Sequence, residues 1–174
     1  MSLFLFKVYL ISLKINLMET KRKHPGVYIP PPLIYVSIFL VSIFLQKLFP
    51  CTVLFFKTVT ATILGCVLVV FGLIFSLPAL VKFAKSRNTL ITIKPANSLQ
   101  SDGIYSLTRN PMYLGLLFLY TGIAFFTGNW WTFILIPVVI AVVTIYVIKR
   151  EEKYLYDAFG EEFTAYTAKV RRWI

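Results

Sequence analysis

The chain has 174 residues, enough for one domain, with 58% apolar and 14% charged side chains; soluble domains carry roughly a quarter charged residues. Its mean hydropathy is +0.77 and its apolar residues fall in long runs, which excludes an ordinary soluble core. The formal net charge of +11 comes from lysines and arginines set between those runs, as in membrane-flanking loops, so no nucleic-acid partner is expected.

Residues 3–17 (LFLFKVYLISLKINL) are interrupted by Lys7 and Lys14 and are short for a span of about 20 residues. No small-residue cleavage site follows. They read as an interfacial helix, or as sequence upstream of a true start at Met18, within an N-terminal extension over 1–25. His24 is the single histidine, and Cys51 and Cys66 lack metal-ligand spacing. No metal is therefore expected, and both cysteines read as packing residues.

The prolines of IPPP (29–32) suit a helix start, and the first span is expected over 33–49, ending at Pro50. The next apolar run, 53–81, is longer than a ~30 Å hydrocarbon core needs, so tilt or a kink at Pro78 is expected. Ala61, Gly65, Gly72 and Ser76 fall near one face of it, where another helix can approach closely. Residues 82–110 are polar and basic, with Leu90, Ile91, Ile93, Leu99, Ile104 and Tyr105 available to pack the loop onto the bundle. A third span is expected over 112–127 and a fourth over 130–148, kinked at Pro137. Thr127-Gly128-Asn129 makes the turn between them, with Trp130 and Trp131 in an aromatic belt. After 149, Leu155, Phe159, Phe163, Tyr166 and Val170 recur at helical spacing and predict an amphipathic helix against the membrane face, broken near Gly160.

The expected fold class is thus all-α: a multi-pass transmembrane bundle of about four spans, an N-terminal hydrophobic segment and a C-terminal amphipathic cytosolic helix, in one domain. Lys plus Arg number three in 18–32, five in 82–111 and six in 149–174, against Lys47 and Lys57 on the other side. The positive-inside rule places both termini and the long loop in the cytoplasm. Residues 82–110 and 149–174 then meet on one face, around the last helical hairpin.

The residues able to carry chemistry cluster there. Gly103 permits a tight turn. Pro111 suits a first helical position, which puts Asn110 at the N-cap, and the free N–H groups of that helix end can bind polar or anionic groups. Gly115 lets backbone or ligand come close. Tyr105 and Tyr113 offer aromatic faces, and a carboxylate of Glu151 or Glu152 could hold an ammonium. Each feature alone has an ordinary explanation: a common Asn-Pro helix start, interfacial tyrosines, and a solvated charge run with Lys149, Arg150 and Lys153.

Together they resemble the isoprenylcysteine carboxyl methyltransferase family and its bacterial and archaeal relatives. The first shared motif is Gly103, Tyr105, Arg109, Asn110, Pro111, Tyr113 and Gly115. The second, beyond an apolar hairpin, is Glu151, Glu152, Leu155, Phe159, Gly160, Phe163 and Tyr166. The segment 26–35 (GVYIPPPLIY) resembles the start of the first span in bacterial relatives. The resemblance covers about 26–172, with a cofactor-binding core over 90–172. It implies an S-adenosylmethionine-dependent methyltransferase whose lipophilic acceptor, such as a prenylcysteine-like carboxylate, enters from the bilayer. It implies a cofactor pocket lined by Asn97, Ser98, Leu99, Gln100, Tyr105, Asn110, Pro111, Met112 and Tyr113, with Glu151 and Glu152 meeting the amino-acid portion. Arg109 would order the loop, and Arg109, Glu151 and Arg150 are the candidate catalytic residues. Two positions depart from the family. Asn110 stands where histidine is common. Val147 stands where the eukaryotic enzymes place an arginine for the substrate carboxylate; Arg150 is close but on another face. Rival readings are a phospholipid N-methyltransferase, a thiol methyltransferase, a steroid-reductase-type enzyme using a nicotinamide cofactor, and a non-catalytic four-span protein.

Overall fold

The computed structural model of the chain describes residues 25–51, 54–85 and 98–174. The expectations for residues 1–17, a start at Met18, His24, and the loop up to and including Asn97 lie outside the described residues. Among the described residues the structure is all helical, with no strand.

Helix α1 (Pro31–Leu48) begins earlier than expected, because Pro31 and Pro32 form its first turn, where a missing N–H costs nothing. It ends ahead of Pro50, whose ring restricts the preceding residue. The apolar run after it divides into a 3₁₀ turn, Leu54–Lys57, and helix α2 (Val59–Lys85). Thr58 causes the division: its hydroxyl accepts from the Ala61 N–H at 3.2 Å and starts the helix afresh. Helix α2 runs through Pro78 and on to Lys85, past the expected limit of 81.

Helix α3 (Pro111–Thr127) lies along α2 at backbone contact. A Cβ added at Gly115 would stand 2.8 Å from the Gly72 carbonyl oxygen and 2.8 Å from the Ser76 nitrogen; at Gly122 it would stand 3.0 Å from the Gly65 carbonyl oxygen. Two glycines seven residues apart on each helix thus form the seam that the small residues of α2 predict. Gly115 serves that seam and not a ligand.

The hairpin turn is built as expected. Gly128 takes φ 62°, and the Asn129 side chain accepts from the Trp131 N–H at 3.0 Å to start α4 (Trp130–Ile134). The Asn129 amide also donates to Ser42 Oγ at 3.0 Å, and Ser42 meets Thr132 Oγ1 at 2.9 Å, so a buried polar triad ties the turn to α1. The segment expected as one span over 130–148, kinked at Pro137, shows that break and one further departure. It is interrupted at Leu135, two residues before Pro137, which cannot supply the N–H that would continue the ladder. Beyond α5 (Ile136–Val142) the backbone winds as a π-helix over Val143–Ile148 before returning to α6 (Lys149–Phe159). Gly160, at φ 52°, breaks the chain before α7 (Glu161–Lys169), where the sequence places the break.

The core joins α1, α3 and the last rod through Ile34, Tyr35, Tyr113, Tyr120, Val143 and Val147. A smaller cluster of Phe163, Tyr166 and Val170 gathers Leu99, Leu155 and Phe159. Pro31–Leu48 and Val59–Val81 are long and apolar enough to cross a membrane, and Pro111–Thr127 is apolar but shorter. The outward faces of α1 and α2 carry Leu40, Phe44, Val70 and Ile74. Cys66 is exposed on that surface and does not pack inward, a correction to its expected role; Cys51 is half-buried, and both are free thiols.

Candidate functional site

Two first turns face each other at one end of the bundle. Pro111 starts α3 and puts Tyr113 within its first turn, while α6 opens with Glu151 and Glu152 in its own. The Tyr113 hydroxyl donates to Glu151 Oε1 at 2.7 Å, so the motifs on either side of the hairpin touch directly. A second tyrosine supports the first: the Tyr35 hydroxyl donates to the Tyr113 carbonyl at 2.8 Å. Tyr113 is only 4% exposed, so it offers its hydroxyl and not an open aromatic face.

Glu151 is half-buried as a residue, with its carboxyl end deep in protein, and its pKa is pushed up to about 7. Burial is the main cause; the Tyr113 hydrogen bond pulls the other way, and neighbouring Glu152 adds to the rise. Among the described residues no cation pairs with it.

Glu152 has the opposite fate. Arg109 Nη1 lies 3.2 Å from its Oε1, and Arg172 donates to both oxygens at 2.9 and 2.7 Å. Glu152 is held between two guanidiniums, where Glu151 has none among the described residues. The hydrogen-bonded Glu152 in turn raises the Arg172 pKa.

Asn110 is the N-cap residue of α3, yet its side chain makes no capping bond. Its amide donates instead to the Arg172 carbonyl at 2.8 Å, and that carbonyl also accepts from Thr108 Oγ1 at 3.3 Å. The Arg109 N–H donates to the Arg171 carbonyl at 3.0 Å. Arg109 thus meets Glu152 by its side chain and the C-terminal segment by its backbone. Arg150, the remaining catalytic candidate, donates from its guanidinium to the Gly26 carbonyl at 2.9 Å and lies 4.4 Å from the centre of the Tyr146 ring. Val147 is fully buried in the core.

The remaining candidates lie to one side. Met112 packs against the main core. Ser98 and Gln100 hydrogen-bond each other at 2.7 Å, and Leu99 joins the α7 cluster. A groove of about 440 Å³ opens there, lined by Leu99, Ser101, Ser106, Glu162, Tyr166 and Lys169. Tyr105 links it to the carboxyl: its carbonyl accepts from the Tyr166 hydroxyl at 2.7 Å. The Tyr105 phenol pKa is raised by burial, and further by the charge of Glu151. Sequence reasoning missed Arg172, Thr108 and Tyr35. For Arg172 the only signal was a basic pair at the end of an amphipathic segment.

Two helices long and apolar enough to cross a membrane, with outward apolar faces, and charged pairs gathered at one end among the described residues mark a membrane protein. The chain belongs to the phospholipid methyltransferase family, whose model matches residues 60–162. It is also similar to a Haemophilus influenzae protein named only "Uncharacterized protein", at 38% identity over 63 residues, covering 36% of this chain and 100% of that one. No solved structure matches.

Proposed function

We propose that the chain is an S-adenosylmethionine-dependent methyltransferase acting on an acceptor that partitions into the membrane. The observation that carries this reading is the 2.7 Å contact between Tyr113 and Glu151, which joins both motifs around one buried carboxyl that has no cation partner among the described residues. An ammonium group is what such a carboxyl lacks, and the amino-acid portion of the cofactor carries one, so the residues fit. When bound, the cofactor supplies an electrophilic methyl on a sulfonium. Glu151 holds the ammonium, and Tyr113 fixes the orientation of the carboxyl. The groove beside Leu99 and Tyr166 receives the polar remainder, and α7 keeps water out. Arg109 acts through Glu152 as a positioning residue. Four spans, with both termini and the site on the cytosolic side, complete the reading, supported by the distribution of basic residues.

The test is titration of the detergent-purified protein with S-adenosylmethionine, followed by transfer of a labelled methyl group into extracted lipids. Saturable binding and lipid labelling are expected; neither would leave a non-catalytic membrane protein. Two observations favour an amine over a carboxylate as acceptor. Val147 is sealed in the core, and Arg150 is committed to Gly26 and Tyr146, so no arginine there is turned toward an acceptor carboxylate. The matched family is also one of phospholipid methyltransferases. Label in a phospholipid headgroup supports the amine; label released by base as a methyl ester supports the carboxylate.

A further inference from the structure

Arg172 bonds both halves of the site at once, by different atoms. Its guanidinium makes a two-point pair with Glu152 on α6, while its carbonyl accepts from Thr108 and Asn110 at the start of α3. The next residue, Trp173, packs against the main core, and the preceding Arg171 carbonyl holds the Arg109 N–H. The segment 171–173 therefore lies across the mouth of the hairpin, on the residues that flank Tyr113 and Glu151.

We propose that Arg172 is a positioning residue: it staples α6 to the 108–110 turn and so sets the distance between Tyr113 and Glu151. Two parallel N–H···O bonds fix angle as well as distance, which a single ammonium cannot do. The staple also divides the labour of the adjacent acids. With Glu152 neutralised by Arg172 and Arg109, Glu151 is the member of the adjacent pair without a cation partner among the described residues. The affinity readout rests on the cofactor reading proposed above; the exchange readout does not.

The experiment compares full-length wild type, Arg172→Ala, Arg172→Lys and Glu152→Gln in detergent. Hydrogen exchange without any ligand comes first. The Arg109 and Asn110 amides are expected to exchange faster in Arg172→Ala, with the helical amides of α2 unchanged. Wild-type rates at 109–110 would overturn the staple, whatever the protein binds. Calorimetry with S-adenosylmethionine follows. Arg172→Ala is expected to weaken binding roughly five- to tenfold, as for a part-exposed two-point ion pair, and Arg172→Lys to recover only part of it. The pH profile separates positioning from mere stability. Removing Arg172 leaves Glu152 less neutralised beside Glu151, so the acid limb of binding should move to higher pH; in Glu152→Gln it should move lower. Unchanged affinity and profile in Arg172→Ala, with wild-type binding intact, would overturn the positioning role.

Discussion

At the scale of single residues, the proposed chemistry turns on one carboxyl held off its ordinary titration range. Glu151 titrates near pH 7 because burial penalises its charge more than Tyr113 relieves it. Two consequences follow with opposite signs. An ammonium ligand needs the ionised form, so cofactor affinity should fall about tenfold per pH unit below 7 and level off above it. The folded protein, by contrast, holds a proton that the unfolded chain releases between about pH 4.5 and 7; stability without ligand therefore declines as pH rises through that window. Glu151→Gln is expected to remove both effects: a higher melting temperature than wild type at pH 8, with cofactor binding lost in calorimetry. A variant that binds as tightly as wild type would remove Glu151 from the site. Tyr113 and Glu151 were legible in the sequence because each lies in a motif with its own spacing. Arg172 was not, because its partners stand 20 and 62 residues away and no local period reports such a pairing. For the same reason a run of charges that reads as solvated contains one acid in a clamp and one nearly alone.

At the scale of elements, the seam between α2 and α3 makes the sharpest prediction. Gly115→Ala puts a methyl against two backbone atoms of α2, which only a shift of the helices can relieve. It should cost about 1–3 kcal/mol, as overpacking does, and lower the melting temperature in detergent. Gly65→Ala meets first the ring edge of Phe126, at 2.7 Å, and next its ring and the Phe125 side chain; side chains can turn away, so it should cost less. Equal losses in the two variants would contradict this picture of the contact. The helices themselves were readable from prolines, from Gly128 and Gly160, and from the apolar runs. Of their internal breaks, only the one at Pro137 was. Thr58 looks like one more small residue in an apolar stretch until its hydroxyl is seen to cap, and VTIYVI carries nothing that distinguishes π from α winding.

At the scale of the whole molecule, the described helices sort by surface. α1 and α2 turn large apolar side chains outward, while the charged pairs sit where α3 begins and α6 begins. The proposed topology predicts that a tag fused after Ile174 stays inaccessible from outside intact cells and becomes accessible on permeabilisation; an externally accessible tag would reverse the orientation. The basic loops predict that side of the membrane through their charge alone.

The π stretch bears on which residue reaches the site. Wider winding over Val143–Ile148 sets everything after it back by roughly one residue's rotation, about 100°. In an unbroken α-helix the direction now taken by Glu151 would fall to Arg150. A slight unwinding of backbone in mid-rod thus decides the sign of the charge that Tyr113 meets.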